Sequence, residues 1–351
     1  MSIQPWHRRG FNLASETTLG ATAVAEELVC VQHPAQLPVA RQLARVRGLP
    51  LHLIGGGSNV LLAPEIPGLT VLMRTRGLQL RERGNRSLIV AEAGENWHGL
   101  VRWSLARGLA GLECLALIPG SVGAAPIQNI GAYGAELSDV LEWVEVFNLH
   151  SGRTERLAAA DCALSYRDSL FRRAEGAHLI VLRVAIVLAQ AAGRIPATDR
   201  YPDIARELAL LGCRSPSPLQ VAEAVVRVRR RKLPDWRRVG NVGSVFKNPT
   251  VNTAQLEQLR SSWPMLKASS TERGFRLSAA QLIDLAGLKR ERRGAARPWN
   301  RQPLVLVLER KPGGADGRDF LELLRHVHQT VSDRYGINLE VEPRPVGRDV
   351  L

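Results

Sequence analysis

Two glycine-rich runs restrict what this chain can fold into more than any other feature: "GGGSNVLL" at 55–62 and "IPGSVGAAPIQNIGAYG" at 118–134. Glycine has no Cβ, so its backbone can touch other backbone or a ligand and takes positive φ readily. Successive N–H groups in such a run can wrap a phosphate. One run alone is as well explained by a tight turn. Two runs in one strand-rich stretch point to a dinucleotide held by backbone, with a pair of structural turns as the alternative. The first run is not G-x-G-x-x-G and no long helix follows it directly, so a Rossmann arrangement is disfavoured.

The patterning around these runs is mixed. Segment 34–48 has helical periodicity ending at Gly48, and 49–62 reads as strand, glycine turn, strand, a β-α-β opening. "LTVLMRT" and "SLIVAEAG" read as short strands separated by the turn around Gly84 and Asn85. An amphipathic helix is expected over 95–111, with Trp97, Leu100, Val101 and Leu105 on one face. A hairpin turning at 151–152 and a buried strand over 179–189 follow. After a polar, proline-containing stretch at 190–218, the helix "PLQVAEAVVRVRRRKLPD" turns Val221, Ala224, Val225 and Val228 to a core. Its terminal cations suit the helix dipole. The run lacks the aromatic and Asn/Gln base readers of a DNA-binding helix.

The tail from 240 reads as a separate α+β unit. It holds helices at 278–288, with Ser278 as N-cap, and at 319–336, with Gly336 as C-cap. "PLVLVLE" is a buried strand, and "INLEVEPRPVG" a final strand stopped by its prolines, with Glu340 and Glu342 on one face. At the head of this unit "GNVGSVFKNP" (240–249) sets Ser244 between glycines and ahead of Lys247 and Asn248. Ser244 there reads as a phosphate ligand, a nucleophile, a proton donor or part of a turn. No histidine stands in a local triad-like arrangement, which disfavours the nucleophile.

Length and composition set outer bounds. A chain of 351 residues is expected to form two or three domains. The net charge of +14 suits an anionic ligand such as a nucleotide, a nucleic acid or a membrane surface. Arginine far outnumbers lysine, found only at 232, 247, 267, 289 and 311, so genome composition explains the charge equally well. Cys30, Cys114, Cys162 and Cys213 are scattered and the histidines dispersed, which predicts neither a disulfide framework nor a metal site. The start has no apolar h-region and no run is long enough to span a bilayer. A cytoplasmic protein without stable membrane insertion is expected.

The ordered motifs "GGGSNVLL", "GLECLALIPGSVGAAPIQNIGAYGAEL", "YRDSLFR", "RRRKLPD", "GNVGSVFKNP", "QLIDLAGLK" and "LEVEPRPVG" carry a resemblance. Through them the chain from about 15 to 347 resembles the UDP-N-acetylenolpyruvoylglucosamine reductases (MurB), type I form. The second and fifth motifs are the most specific. The resemblance implies an α+β fold, with an FAD-binding domain of the vanillyl-alcohol-oxidase (PCMH) type and a C-terminal α+β substrate-binding domain. Residues 15–189 would be the FAD domain in two subdomains, 190–218 the type I loop, and 219–347 a helix linker and the substrate domain. FAD would be non-covalent, because the glycine loop carries Ser58 and Asn59 and no histidine. Gly55, Gly56, Gly57, Ser58 and Asn59, with Pro119, Gly120, Ser121, Gly123, Asn129, Gly131, Tyr133 and Gly134, would lie along the pyrophosphate and isoalloxazine.

The implied reaction uses NADPH to reduce FAD, and flavin N5 to deliver hydride to the vinyl carbon of an enolpyruvyl ether. Ser244 would then protonate the adjacent carbon, with Arg167 and a protonated Glu342 beside the substrate carboxylate. Tyr201, Arg229, Lys232 and Asn248 would hold the UDP-sugar. No nucleic-acid partner is expected, and a monomer is favoured. An FAD-dependent oxidase of the same fold, and a basic nucleotide- or nucleic-acid-binding protein, stand as alternatives. Flavin colour and its bleaching by NADPH separate them.

Overall fold

Helices form where the apolar period is near 3.6 and a cap is at hand. In the computed structural model, which describes residues 6–190, 201–213, 215–348 and 350, these are α1 (Gln36–Val46), α2 (Trp97–Leu105), α3 (Pro202–Leu210), α4 (Pro218–Lys232), α5 (Thr253–Ser262), α6 (Ala279–Leu285) and α7 (Arg318–Tyr335). In α7, Phe320, Leu323, Leu324, Val327 and Val331 are buried, and Gly336 ends the helix at φ +64. In α4, Val221, Ala224, Val225 and Val228 are buried. Burying an aliphatic side chain of this size contributes about 1.5–3 kcal/mol. Asn96 caps α2 and Ser278 caps α6.

The chain divides into two units. The first comprises Met1–Phe11, Ala25–Gly57 and Pro67–Arg231; the second comprises Asn12–Val24, Ser58–Ile66 and Lys232–Leu351. Residues 12–24 and 58–66 thus join the C-terminal part, although they lie early in the chain. A long-range pairing, which no local pattern announces, draws the second of these segments across: Val60–Leu62 runs parallel to Arg344–Val346.

The first unit holds two sheets. One is four-stranded, in the order His7–Asn12, Val24–Val31, Glu65–Met73, Leu51–Ile54. The other is five-stranded and antiparallel, in the order Thr154–Ala158, Leu141–Asn148, Leu179–Ala189, Arg86–Glu92, Leu78–Arg83. One core runs through both, from Val29 and Val71 to Val184 and Val228. On the five-stranded sheet, Glu92, Arg183, Glu145 and Arg156 stand in register across four strands as a row of ion pairs. Arg156 stacks on Trp143 at 3.8 Å. The second unit packs α5, α6 and α7 on two three-stranded sheets around Phe246, Leu306 and Phe320.

Three expectations need correction. The turn at Gly84 and Asn85 does not separate the two expected strands: it joins Arg86–Glu92 to a further strand, Leu78–Arg83. That edge strand is so exposed and charged that no alternation marks it. The polar stretch after 190 contains α3, while 191–200 and 214 of the expected type I loop lie outside the described residues. The final segment does not form one long strand stopped by prolines. Val341 makes an isolated bridge to Phe246, and the strand proper is Arg344–Val346, with Pro345 inside it. A proline is tolerated there because the strand has a single neighbour.

Glycine at 240 is dictated by packing. A methyl group there would lie 1.8 Å from the Leu19 carbonyl oxygen. Gly240→Ala should therefore destabilise the fold by about 3 kcal/mol or more. At Gly212, φ is +68 but the space is open, so Gly212→Ala should cost only about 1–2 kcal/mol. Chemical denaturation of the two variants measures the difference.

Candidate functional site

In the first unit the two glycine runs meet. A methyl group on Gly56 would lie 2.5 Å from Gly120 Cα, and one on Gly55 would lie 2.5 Å from Ser121 Oγ. Gly123 approaches Ala93 in the same way, at 2.5 Å. Much of what the glycines allow is thus backbone lying on backbone. The second run is fastened to the chain before α2: Gly123 N donates to Ala93 O and Val122 N to Glu95 O, both at 2.8 Å. Trp97 donates its N–H to Gly120 O and its indole N–H to Leu115 O, both at 3.1 Å. Arg74 Nη1 donates to Gly55 O at 2.8 Å. Beside this contact the hydroxyl of Ser121 is buried without a hydrogen-bond partner. Pro119 is exposed. Gly57 closes this side at φ +62. Ser58 and Asn59 belong to the second unit, where Asn59 O accepts from Arg344 N at 3.0 Å.

Asn129 organises the rest of the loop. It is fully buried, at φ +45. Its Nδ2 donates to Glu136 at 2.7 Å, to Ser138 Oγ at 3.2 Å and to Ser165 O at 3.4 Å, and its Oδ1 accepts from Ser138 N at 2.9 Å. This side chain shapes the loop around Gly131, Tyr133 and Gly134. Arg167 sits at the tip of a tight turn in which Ser165 and Asp168 exchange hydrogen bonds, which places it at φ +54. Its Nη2 donates to Gly131 O at 3.0 Å.

Cations and rings gather at this loop. The Tyr133 and Tyr201 rings pack edge to face, 5.5 Å apart. Burial raises the Tyr133 phenol above its ordinary pKa, against the pull of Arg229. Burial lowers Arg229, Tyr133 opposes the shift, and the neighbouring Arg167 adds to it. Arg229 stays a cation, because a guanidinium starts so far above neutrality. Its Nε is buried without a hydrogen-bond partner. Tyr201 leads into α3, which Glu207 ties to Arg231 of α4. The structure therefore brings Arg167, Arg229, Tyr133 and Tyr201 together.

In the second unit a bulge aims Ser244. The strand Val239–Ser244 pairs Asn241 with Val307 but Ser244 with Val305, so Val242 and Gly243 face a single partner position. Gly243 takes φ +76, and its N–H donates to Asn241 Oδ1 at 3.1 Å. Such a bulge re-aims the next side chain. Val242, Val245 and Phe246 go to the core, and Ser244 stays half-exposed. The chain then pairs with the segment carrying the glutamates: Glu342 N donates to Val245 O and Lys247 N to Glu340 O. The two carboxylates are not equivalent. Glu340 is exposed and pairs with Lys247 at 2.6 Å, while Glu342 is buried. Asn248 Oδ1 accepts from Ala279 N at 3.0 Å, at the start of α6. Lys232, the last residue of α4, has its carbonyl held by the Trp299 indole at 3.0 Å.

Nothing in the sequence pattern marks His98, Arg74 or Trp299, whose hydrogen bonds fix these segments. Each bonds to a carbonyl or amide far along the chain, a relation that periodicity does not carry. Among the described residues no helix is long and apolar enough to cross a membrane.

The chain is similar to known proteins over nearly its whole length. The FAD binding domain family matches residues 25–158, and the UDP-N-acetylenolpyruvoylglucosamine reductase C-terminal domain family matches residues 235–346. The UDP-N-acetylenolpyruvoylglucosamine reductase of Burkholderia multivorans is 42% identical, covering 98% of this chain and 97% of its own. That of Pseudomonas putida is 39% identical, covering 98% and 99%. The crystal structure of the Thermus caldophilus reductase (MurB) aligns with a TM-score of 0.66 at 26% identity, over 96% of this chain and 97% of its own.

The bonding of Asn129 makes a prediction. Asn129→Ala should cost about 2–3 kcal/mol, from lost buried hydrogen bonds and left-handed strain. Asn129→Asp should be worse, because it sets a second carboxylate against Glu136. An Asn129→Asp variant that is less destabilised than Asn129→Ala in denaturation experiments would show that the Nδ2 bonds do not matter.

Proposed function

The chain belongs to the UDP-N-acetylenolpyruvoylglucosamine reductase family, and on that premise we propose that it reduces UDP-N-acetylenolpyruvoylglucosamine to UDP-N-acetylmuramate with NADPH. The reaction serves peptidoglycan precursor synthesis, and we assign it to the cytoplasm. The observation that carries the reading is the meeting of the two glycine runs, with the buried Ser121 hydroxyl left without a partner beside them. These residues fit FAD: a pyrophosphate oxygen would give that hydroxyl its acceptor, and Gly55 and Gly56 add no side chain of their own. Gly55, Gly56, Gly57, Gly120 and Ser121 would hold the pyrophosphate, and the loop through Gly131, Tyr133 and Gly134 the ring system. When bound, FAD supplies the hydride, which it takes from NADPH.

The chain's own residues handle charge and protons. Reduction at the vinyl carbon leaves negative charge next to the substrate carboxylate. Arg167 is assigned to that charge, because a fixed cation stabilises it without reorganisation. Glu342 is assigned a hydrogen bond to the same carboxylate. Ser244 is assigned the proton delivered to the adjacent carbon: a serine is a weak acid, but the carbon base is strong. Arg229, Lys232, Asn248 and Tyr201 are assigned to the UDP-sugar. The "RVRRRK" run supports this reading over a nucleic-acid surface, because Arg227 pairs with Glu223, Arg231 pairs with Glu207, and the Arg229 Nε is buried.

Two experiments test the reading. Acid precipitation should release the yellow colour into the supernatant; colour kept in the pellet would mean a covalent flavin. Stopped-flow absorbance should separate the half-reactions in Ser244→Ala. Bleaching by NADPH should stay near normal, while reoxidation by the enolpyruvyl substrate should slow by at least about 10²-fold. Ser244→Cys should recover part of the rate. Equal slowing of both steps would make Ser244 a positioning group and end its assignment as proton donor.

A further inference from the structure

The N-terminal turn of α2 holds the segment 115–121 by hydrogen bonds, and one of them is accepted by an imidazole ring. Leu117 N donates to His98 Nδ1 at 3.0 Å. Leu117 lies at φ +60, a left-handed conformation that strains a leucine. Two residues later begin Pro119, Gly120 and Ser121. An imidazole accepts at Nδ1 only while that nitrogen carries no proton. We propose that His98 is a positioning residue: in its neutral form it holds Leu117 left-handed and so keeps 119–121 in the geometry that binds the flavin. This rests on the reading of the first unit as an FAD site.

The surroundings favour the neutral ring. His98 is half-buried, and the cations facing it are Arg102 on α2 itself and Arg230 and Arg229 on α4. Burial first, and then these three charges, hold its pKa below the ordinary histidine value. The sign of the pH effect follows. With the segment released, the ring titrates at about 6.5. The hold is therefore complete above that value and is lost as pH falls through the lowered value of the folded state. The neighbouring bonds, from Trp97 N, the Trp97 indole and Val122 N, do not titrate in this range, which leaves His98 as the proton-sensitive link of this row.

The test follows FAD release from the holoenzyme, by recovery of flavin fluorescence on dilution, between about pH 5 and pH 8. Release from the wild type should speed up about tenfold across the acid half of that range. His98→Asn places a non-titrating amide oxygen near the position of Nδ1, so its release should be slow and independent of pH. His98→Ala should release FAD fast at every pH. In the flavin-free full chain it should also raise the exchange rate of the Leu117 amide. A pH-independent wild type, or an Asn variant with the same acid acceleration, overturns the proposal. If His98→Ala fails to fold, the His98→Asn profile decides. A protein that never binds FAD would refute the flavin reading instead, and Leu117 exchange would still report on His98.

Discussion

The first unit depends on a contact that only glycine permits, the backbone of Gly56 against Gly120. At that point no side chain fits between the runs, and beside it the Ser121 side chain packs against Gly55. Glycine backbone that carries no side chain is what a close approach to a pyrophosphate requires. Such backbone is useful only if it does not move. The chain supplies rigidity by hydrogen-bonding the second run to residues 93–97, and by burying Trp97 almost completely while its indole N–H reaches Leu115 O. A buried indole needs a partner for its N–H, and here that need fixes the loop to the core.

Backbone strain concentrates around the same chemistry. Among the described residues the non-glycine positions with positive φ are Leu117, Asn129, Tyr133, Ala163 and Arg167. Each costs about 1–2 kcal/mol, so each must be held by its surroundings. Asn129 is held by its own side-chain bonds, and Arg167 by the two-residue turn between Ser165 and Asp168. Where no side chain is needed, as at Gly243 beside Ser244, glycine removes most of the strain. Where a guanidinium is needed, the fold bears it. That contrast separates a residue kept for its side chain from one kept for its backbone.

Much of this was legible from the sequence, for physical reasons that differ by element. The buried face of α4, the caps at Ser278 and Gly336 and the hairpin at 151–152 follow from local period and turn chemistry, and they appear as read, whereas the helix expected over 95–111 stops at Leu105 and buries Ser104 in place of Leu105. The glycine runs announced close approach but not its object. Gly56 lies against Gly120, and Gly240 against Leu19, because those contacts join residues far apart in the chain. The strand Leu78–Arg83 was hidden because an exposed edge carries no apolar alternation. Glu340 and Glu342 share a parity but not an environment: burial at 342 and the Lys247 pair at 340 are set by neighbours that a two-residue period cannot see.

The choice of cation follows from burial. Arg229 is buried at its Nε beside Tyr133 and near Arg167, a second positive charge. Desolvation and like charge both push a cation toward losing its proton. A lysine begins about two pKa units or more below a guanidinium and sheds its proton readily when buried. An arginine in the same place keeps its charge and presents a planar fork of donors. The lysines are placed differently. Lys247 is paired with the exposed Glu340, and Lys232 is the last residue of α4. The arginine-rich composition therefore has a local use here, since the buried position near Arg167 calls for a cation that does not titrate.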